Sequence, residues 1–171
     1  MDEFMVGFRL VHIFAGIAWV GFAWFMTFML RPAVQALGKD GQTFMRGLVK
    51  HSPVVSIMPI VSLLTVVSGL LLYYRVSGHF SSDWMGSTAG VVLTIGSIAG
   101  IFEFVFGGVV IGPTMKKLGQ VAGMLESQGQ PPSQDQLTQL QGLQARMRWA
   151  EPVSSIMTVV AVLGMASARY M

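Results

Sequence analysis

The chain has 171 residues, of which 53% are hydrophobic and only 11% charged, with a mean hydropathy of +0.62. Soluble domains carry roughly a quarter charged residues, so this composition excludes a water-soluble globule and reads as an integral membrane protein. The net charge of +3 comes without a basic patch interleaved with aromatics, which excludes a nucleic-acid surface, and the absence of cysteine excludes disulfides, thiolate metal sites and thiol catalysis.

Four stretches reach or approach the roughly 20 apolar residues that cross the hydrocarbon: about 8–30, 53–74, 85–112 and 152–168. The first follows Asp2 and Glu3, where a cleavable signal peptide would have a basic segment, so the N-terminus is expected to be mature sequence. Within this span lies Arg9-Leu-Val-His12-Ile-Phe-Ala-Gly16-Ile-Ala-Trp19-Val-Gly21. An imidazole in apolar sequence is costly unless something binds it. His12, Gly16, Trp19, Ala23 and Met26 share one helical face, and a glycine one turn from the imidazole leaves room for something flat. The alternative is that His12 donates to a carbonyl or hydroxyl on a neighbouring helix and holds no ligand.

Residues 31–52, with Pro32 and the breakers Gly38-Lys-Asp-Gly41, predict two helical turns and a bend. The second span carries a small-residue face of Pro59, Ser62, Thr65 and Gly69, and ends in Tyr73-Tyr74-Arg75 ahead of His79. On the third, Ala89, Gly96, Gly100, Glu103 and Gly107 share a face, with Gly96 and Gly100 forming a GxxxG. Glu103 should therefore point into the bundle, as a proton-relay acid, a counter-charge for a cofactor, or an interhelical hydrogen bond.

Segment 113–149 reads as a helical hairpin. The third span continues past Pro113 with Leu118, Val121, Ala122 and Leu125 on one side, Gly129-Gln-Pro131-Pro132 breaks it, and Ser133 with Gln136 starts a new helix as a capping box. Leu137, Leu140, Leu143 and Met147 give that helix an apolar stripe. The fourth span presents Ser154, Thr158, Ala161 and Met165. No internal repeat is evident. Most of the thirteen methionines are expected to be packing or lipid-facing groups.

Arg9, Arg75 and Arg169 fall on one side of the spans, against Arg31, Lys39, Arg46, Lys50, Lys116, Lys117, Arg146 and Arg148 on the other. By the positive-inside rule both termini lie outside. The expected fold is all-α: an antiparallel four-transmembrane-helix bundle in one domain, residues 1–171, with the hairpin 113–149 as a cytoplasmic extension between spans 3 and 4.

In that topology His12 and His79 share the outer end and His51 opens the second span at the other. With hydrocarbon about 30 Å thick, His12 and His51 cannot serve one ion or one haem, though His51 could belong to a second site. A bare metal ion wants three or four convergent donors, and the outer end offers only His12, His79, Asp83 and methionines. Haem asks for one or two axial ligands, His12 and His79 being the candidates, and for apolar walls and cations such as Arg9, Arg75 and Arg169 for its propionates.

The first span, with His12, Trp19 and Gly21, resembles the first helix of the membrane proteins grouped around HemJ-type protoporphyrinogen oxidases and CopD-type copper-resistance proteins. Met58-Pro59 with Thr65-x3-Gly69 resembles that group's second helix, and Arg148-Trp149-Ala-Glu151-Pro152 its fourth with a shortened spacing. The resemblance implies a b-type haem ligated by His12. The chain departs from the pattern at Leu30-Arg31-Pro32, a turn late for the group's Leu-Pro-Arg, and at Thr88, near which the group has a lysine. Loss of that lysine argues against protoporphyrinogen oxidation, and no nucleophile and base, phosphate loop or paired carboxylates point to another enzyme.

The expectation is thus a bacterial inner-membrane protein binding haem b, with His12, Arg9, Gly16, Trp19, His79, Arg75 and Glu103 around the cofactor, for electron transfer or for haem sensing or handling. The rival readings are an accessory subunit of a larger membrane complex and a CopD-like copper-handling protein. Expected partners are the bilayer, a membrane redox partner or complex subunits, and a second copy of the chain through the small-residue faces.

Overall fold

The computed structural model describes residues 3–171, apart from the side chains of Val55 and Glu126; Asp2 lies outside the described residues. It is all-helical, with no strand among the described residues. Helix α1 (Glu3–Trp24) passes into a π-helical segment (Phe25–Leu30) and then α2 (Arg31–Ala36). A turn leads to α3 (Lys39–His51), and α4 (Val54–Val76) is followed by the single turn α5 (Ser82–Met85). Helix α6 (Thr88–Phe106) likewise passes through a π-helical segment (Gly107–Ile111) into α7 (Gly112–Gln128). The long α8 (Gln134–Ser167) ends in a 3-10 turn (Ala168–Tyr170). Four helices are long and apolar enough to cross a membrane: Glu3–Ala36, Ser56–Val76, Thr88–Leu125 and Gln134–Tyr170.

Each π-helical segment ends two residues before a proline, Pro32 or Pro113, in the first turn of the next helix. A proline offers no N–H and its ring crowds the carbonyl one turn back; widening the helix there relieves the clash without ending it. This is why the first and third spans run on past their prolines.

Helix α1 packs on α4, and α6 packs on α8. Much of the expected small-residue faces makes these contacts, although Pro59 is exposed and a Cβ on Gly107 would meet nothing within 4 Å. Ser62, Thr65, Ser68 and Thr158 are buried, and each hydroxyl bonds to a carbonyl of its own helix, Thr65 to Val61 at 2.9 Å and Thr158 to Ser154 at 2.9 Å among them. A hydroxyl satisfied in this way needs no partner across the interface, so the helices can approach closely. The approach is tightest at Gly96 and Gly164, where backbone meets backbone. A Cβ on Gly164 would lie 2.8 Å from the Gly96 Cα and 3.1 Å from the Val92 carbonyl oxygen. Gly164, adjacent to Met165, is the member of this contact that its own sequence does not single out.

A short match between the two halves accompanies this packing. Pro53-Val-Val-Ser-Ile-Met58, at the start of the second span, matches Pro152-Val-Ser-Ser-Ile-Met157, at the start of the fourth, in five of six positions. Twelve residues beyond each proline stands the residue that meets a glycine of the preceding span: Thr65 against Gly16, and Gly164 against Gly96. Each half is therefore a long helix broken by a π segment and a proline, followed by a second apolar helix packed upon it. The match is short, and only the equivalent packing makes it legible.

The capping box at Ser133 forms as its signals indicate. Ser133 caps α8, with its hydroxyl accepting from the Gln136 N–H at 3.3 Å while the Gln136 carboxamide accepts from the Ser133 N–H at 2.9 Å. Helix α7 packs on α8, burying Val121 and Met147. An Arg31–Glu151 ion pair ties the first helix to α8.

Candidate functional site

His12 is half-buried on the α4-facing side of α1. Its Nδ1 lies 2.8 Å from the Thr65 carbonyl oxygen and 3.5 Å from the Ser68 hydroxyl. A carbonyl can only accept, so Nδ1 carries the proton, and in the neutral ring the lone pair is on Nε2. The described residues give Nε2 no hydrogen-bond partner. The ring is held by close packing as well, since a Cβ on Gly69 would stand 2.8 Å from its Cε1. Glycine at position 69 is thus what allows the imidazole to lie against α4.

The space beside Gly16 is taken by α4, with the Thr65 methyl 3.7 Å from where a Gly16 Cβ would stand. The face read from sequence also divides. His12 and Gly16 meet α4, whereas Trp19 and Ala23 border a small cavity with residues of α6 and α8. Seven residues of α-helix fall about 20° short of two full turns, so a seven-residue repeat drifts round the axis and passes from one neighbour to the next.

That cavity, of about 30 Å³, is lined by Trp19, Val20, Ala23, Gly100, Glu103, Thr158 and Ala161. Trp19 also packs edge-on against Phe104, with centroids 6.4 Å apart. Glu103 is 7% exposed; Ser154 donates to its Oε1 at 2.5 Å, and Oε2 has no partner among the described residues. The volume suits about one water and nothing larger. Glu103 thus serves the α6/α8 contact and this cavity, apart from His12. Glu103→Gln, which can still accept from Ser154, is expected to unfold in detergent like the parent. Glu103→Leu is expected to lose roughly 0.6–1.7 kcal/mol, the range for one interhelical polar contact. Equilibrium unfolding in mixed micelles measures both, and a Gln variant as weak as the Leu variant would show that the carboxyl does more than hold Ser154.

His79 belongs to a different cluster. Gly69 meets the His12 ring, and α4 then rises about 10 Å over seven further residues to Val76 before the turn that carries His79. His79 and Phe80 both have left-handed backbone, with φ of 64°. The turn is held by the buried Ser77, whose hydroxyl accepts from the Phe80 N–H at 3.0 Å. The His79 ring is exposed and packs on Tyr74 at 4.6 Å, while Tyr73 packs on Phe80 and Trp84 and bonds to the Thr94 hydroxyl at 2.6 Å. Sequence reading passed over Tyr73 and Tyr74 as anchors of this turn, though paired aromatics at the end of a span are their usual signal. Arg9, Arg75 and Arg169 are exposed, with Arg169 stacked 5.1 Å over Tyr170. His51 is exposed at the end of α3. No group of three or more His, Cys, Asp or Glu converges among the described residues. No protein-family model matches the chain, and no curated protein or solved structure matches it.

Proposed function

We propose that this protein binds haem b through His12 and carries electrons, or senses or handles haem, within the membrane. One observation supports this reading above the others: Nδ1 of His12 is committed to the Thr65 carbonyl while Nε2 keeps a lone pair without a partner among the described residues. Histidines that ligate metals nearly always hold their second nitrogen in this way, which fixes the ring and raises its basicity. The donor set suits haem better than a bare ion, because a porphyrin supplies four nitrogens of its own and needs only one or two more. His12 would hold the group, and Arg9, Arg75 and Arg169 supply cations for its carboxylates. When bound, haem provides one-electron chemistry; the chain's part is to orient the imidazole and exclude water.

The visible spectrum of the detergent-purified protein, oxidised and then dithionite-reduced, tests the proposal. A sharp alpha band on reduction is expected. A colourless protein from haem-replete cells would sink this reading and favour the accessory-subunit one.

The same proposal includes an antiparallel bundle in a bacterial inner membrane, with both termini periplasmic and the α7/α8 hairpin cytoplasmic. Its support is the distribution of basic residues, three against eight, and the opposed run of contacts, His12 with Gly69 and Gly16 with Thr65. In a chain without cysteine, Ser82→Cys is expected to react with a membrane-impermeant maleimide added to intact spheroplasts, and Ser127→Cys is not. Both positions are exposed, so the opposite labelling pattern would invert the bundle.

A further inference from the structure

At the end of the molecule away from His12, a groove of about 560 Å³ opens between the first helix and α8. Its lining includes Phe28, Arg31, Pro32, Arg148, Glu151 and Ile156. Two cations and one anion leave it with a net positive charge. Arg31 is paired with Glu151 at the mouth, the side chains 33% and 21% exposed. Arg148, one turn before Glu151 on the same helix, is exposed and has no ionic partner among the described residues.

We propose that this groove is a binding site for one anionic phospholipid, with the phosphate on Arg148 and Arg31 and the first carbons of the acyl chains against Phe28 and Ile156. Charge and shape argue together. A free phosphate ion would fill only a small part of the volume and would leave the Phe28 and Ile156 walls uncovered, whereas a headgroup with its chain roots matches both the cationic and the apolar lining. A zwitterionic lipid brings its own cation to a site already in cationic excess. The groove also lies where the two halves of the chain meet through Arg31 and Glu151, so its occupant would bridge them.

The test is native mass spectrometry of the full-length protein in detergent, titrated with phosphatidylglycerol or with phosphatidylcholine of the same chains. Preferential retention of one phosphatidylglycerol is expected. Arg148→Gln, at an exposed position, should weaken that retention roughly fivefold while leaving phosphatidylcholine binding unchanged, the effect of one basic residue near an anionic surface. Lys116→Gln, which removes an exposed charge of α7 outside the groove, should retain the lipid as the parent does. Equal retention of the two lipids would overturn the proposal. So would equal losses in Arg148→Gln and Lys116→Gln, which would mean a diffuse surface-charge effect, or release of the lipid by millimolar inorganic phosphate, which would mean a site for free anions.

Discussion

In His12→Ala the reduced alpha band is expected to vanish, with haem content falling at least tenfold while the protein still folds. The removed ring fills a half-buried position, and its Nδ1 bond to the Thr65 carbonyl is one interhelical contact, worth roughly 0.6–1.7 kcal/mol in lipid. The bundle can lose that and persist; a cofactor that depends on the Nε2 lone pair cannot. Gly69→Ala makes the complementary test because it leaves the imidazole in place and disturbs only its seat. A methyl there would stand 2.8 Å from Cε1, so the ring must swing away or the helices part. The expected outcome is haem bound more weakly with a displaced absorption maximum. Pyridine haemochrome assays and difference spectra measure both variants. Parental haem content in His12→Ala would remove His12 as the ligand, whatever cofactor the protein holds.

Gly164→Ile is expected to disrupt the pairing of α6 with α8 more than any other single change on these faces. A Cβ at position 164 meets the Gly96 Cα at 2.8 Å and the Val92 carbonyl oxygen at 3.1 Å, and backbone cannot turn aside as a side chain can. The helices must separate, which gives up contacts along the interface, including Ser154 with Glu103. Overpacking of this kind costs about 1–3 kcal/mol even where side chains can adjust, and this site lies at or above the upper end. Gly100→Ala should be milder, because its nearest neighbour is the flexible end of Met165 at 3.3 Å. Unfolding in mixed micelles ranks the two; a Gly164→Ile variant as stable as Gly100→Ala would show that the close approach is not what holds the pair.

Four helices long and apolar enough to cross a membrane are legible in the chain alone, because length and apolar content are local properties of each run. The chain alone also marks the faces that pack. Gly96, Gly100 and Glu103 on one span and Ser154, Thr158 and Ala161 on another are legible as small or polar positions at helical spacing, and they meet in the structure. The cap at Ser133 was legible because capping depends on residues three apart in the chain. Relations between distant segments came from packing instead. Neither the Thr65 carbonyl nor the missing Cβ of Gly69 can be assigned to His12 until α4 lies against α1, since every residue offers a carbonyl. The separation of Trp19 from His12 depends on where the neighbouring helices stand around α1, which periodicity does not record. The Arg31–Glu151 pair and its groove join residues 120 positions apart, and Thr65 and Gly164 meet glycines of the preceding span only once the helices are packed. Helical periodicity fixes which way a side chain faces on its own helix, but what it faces is set by packing.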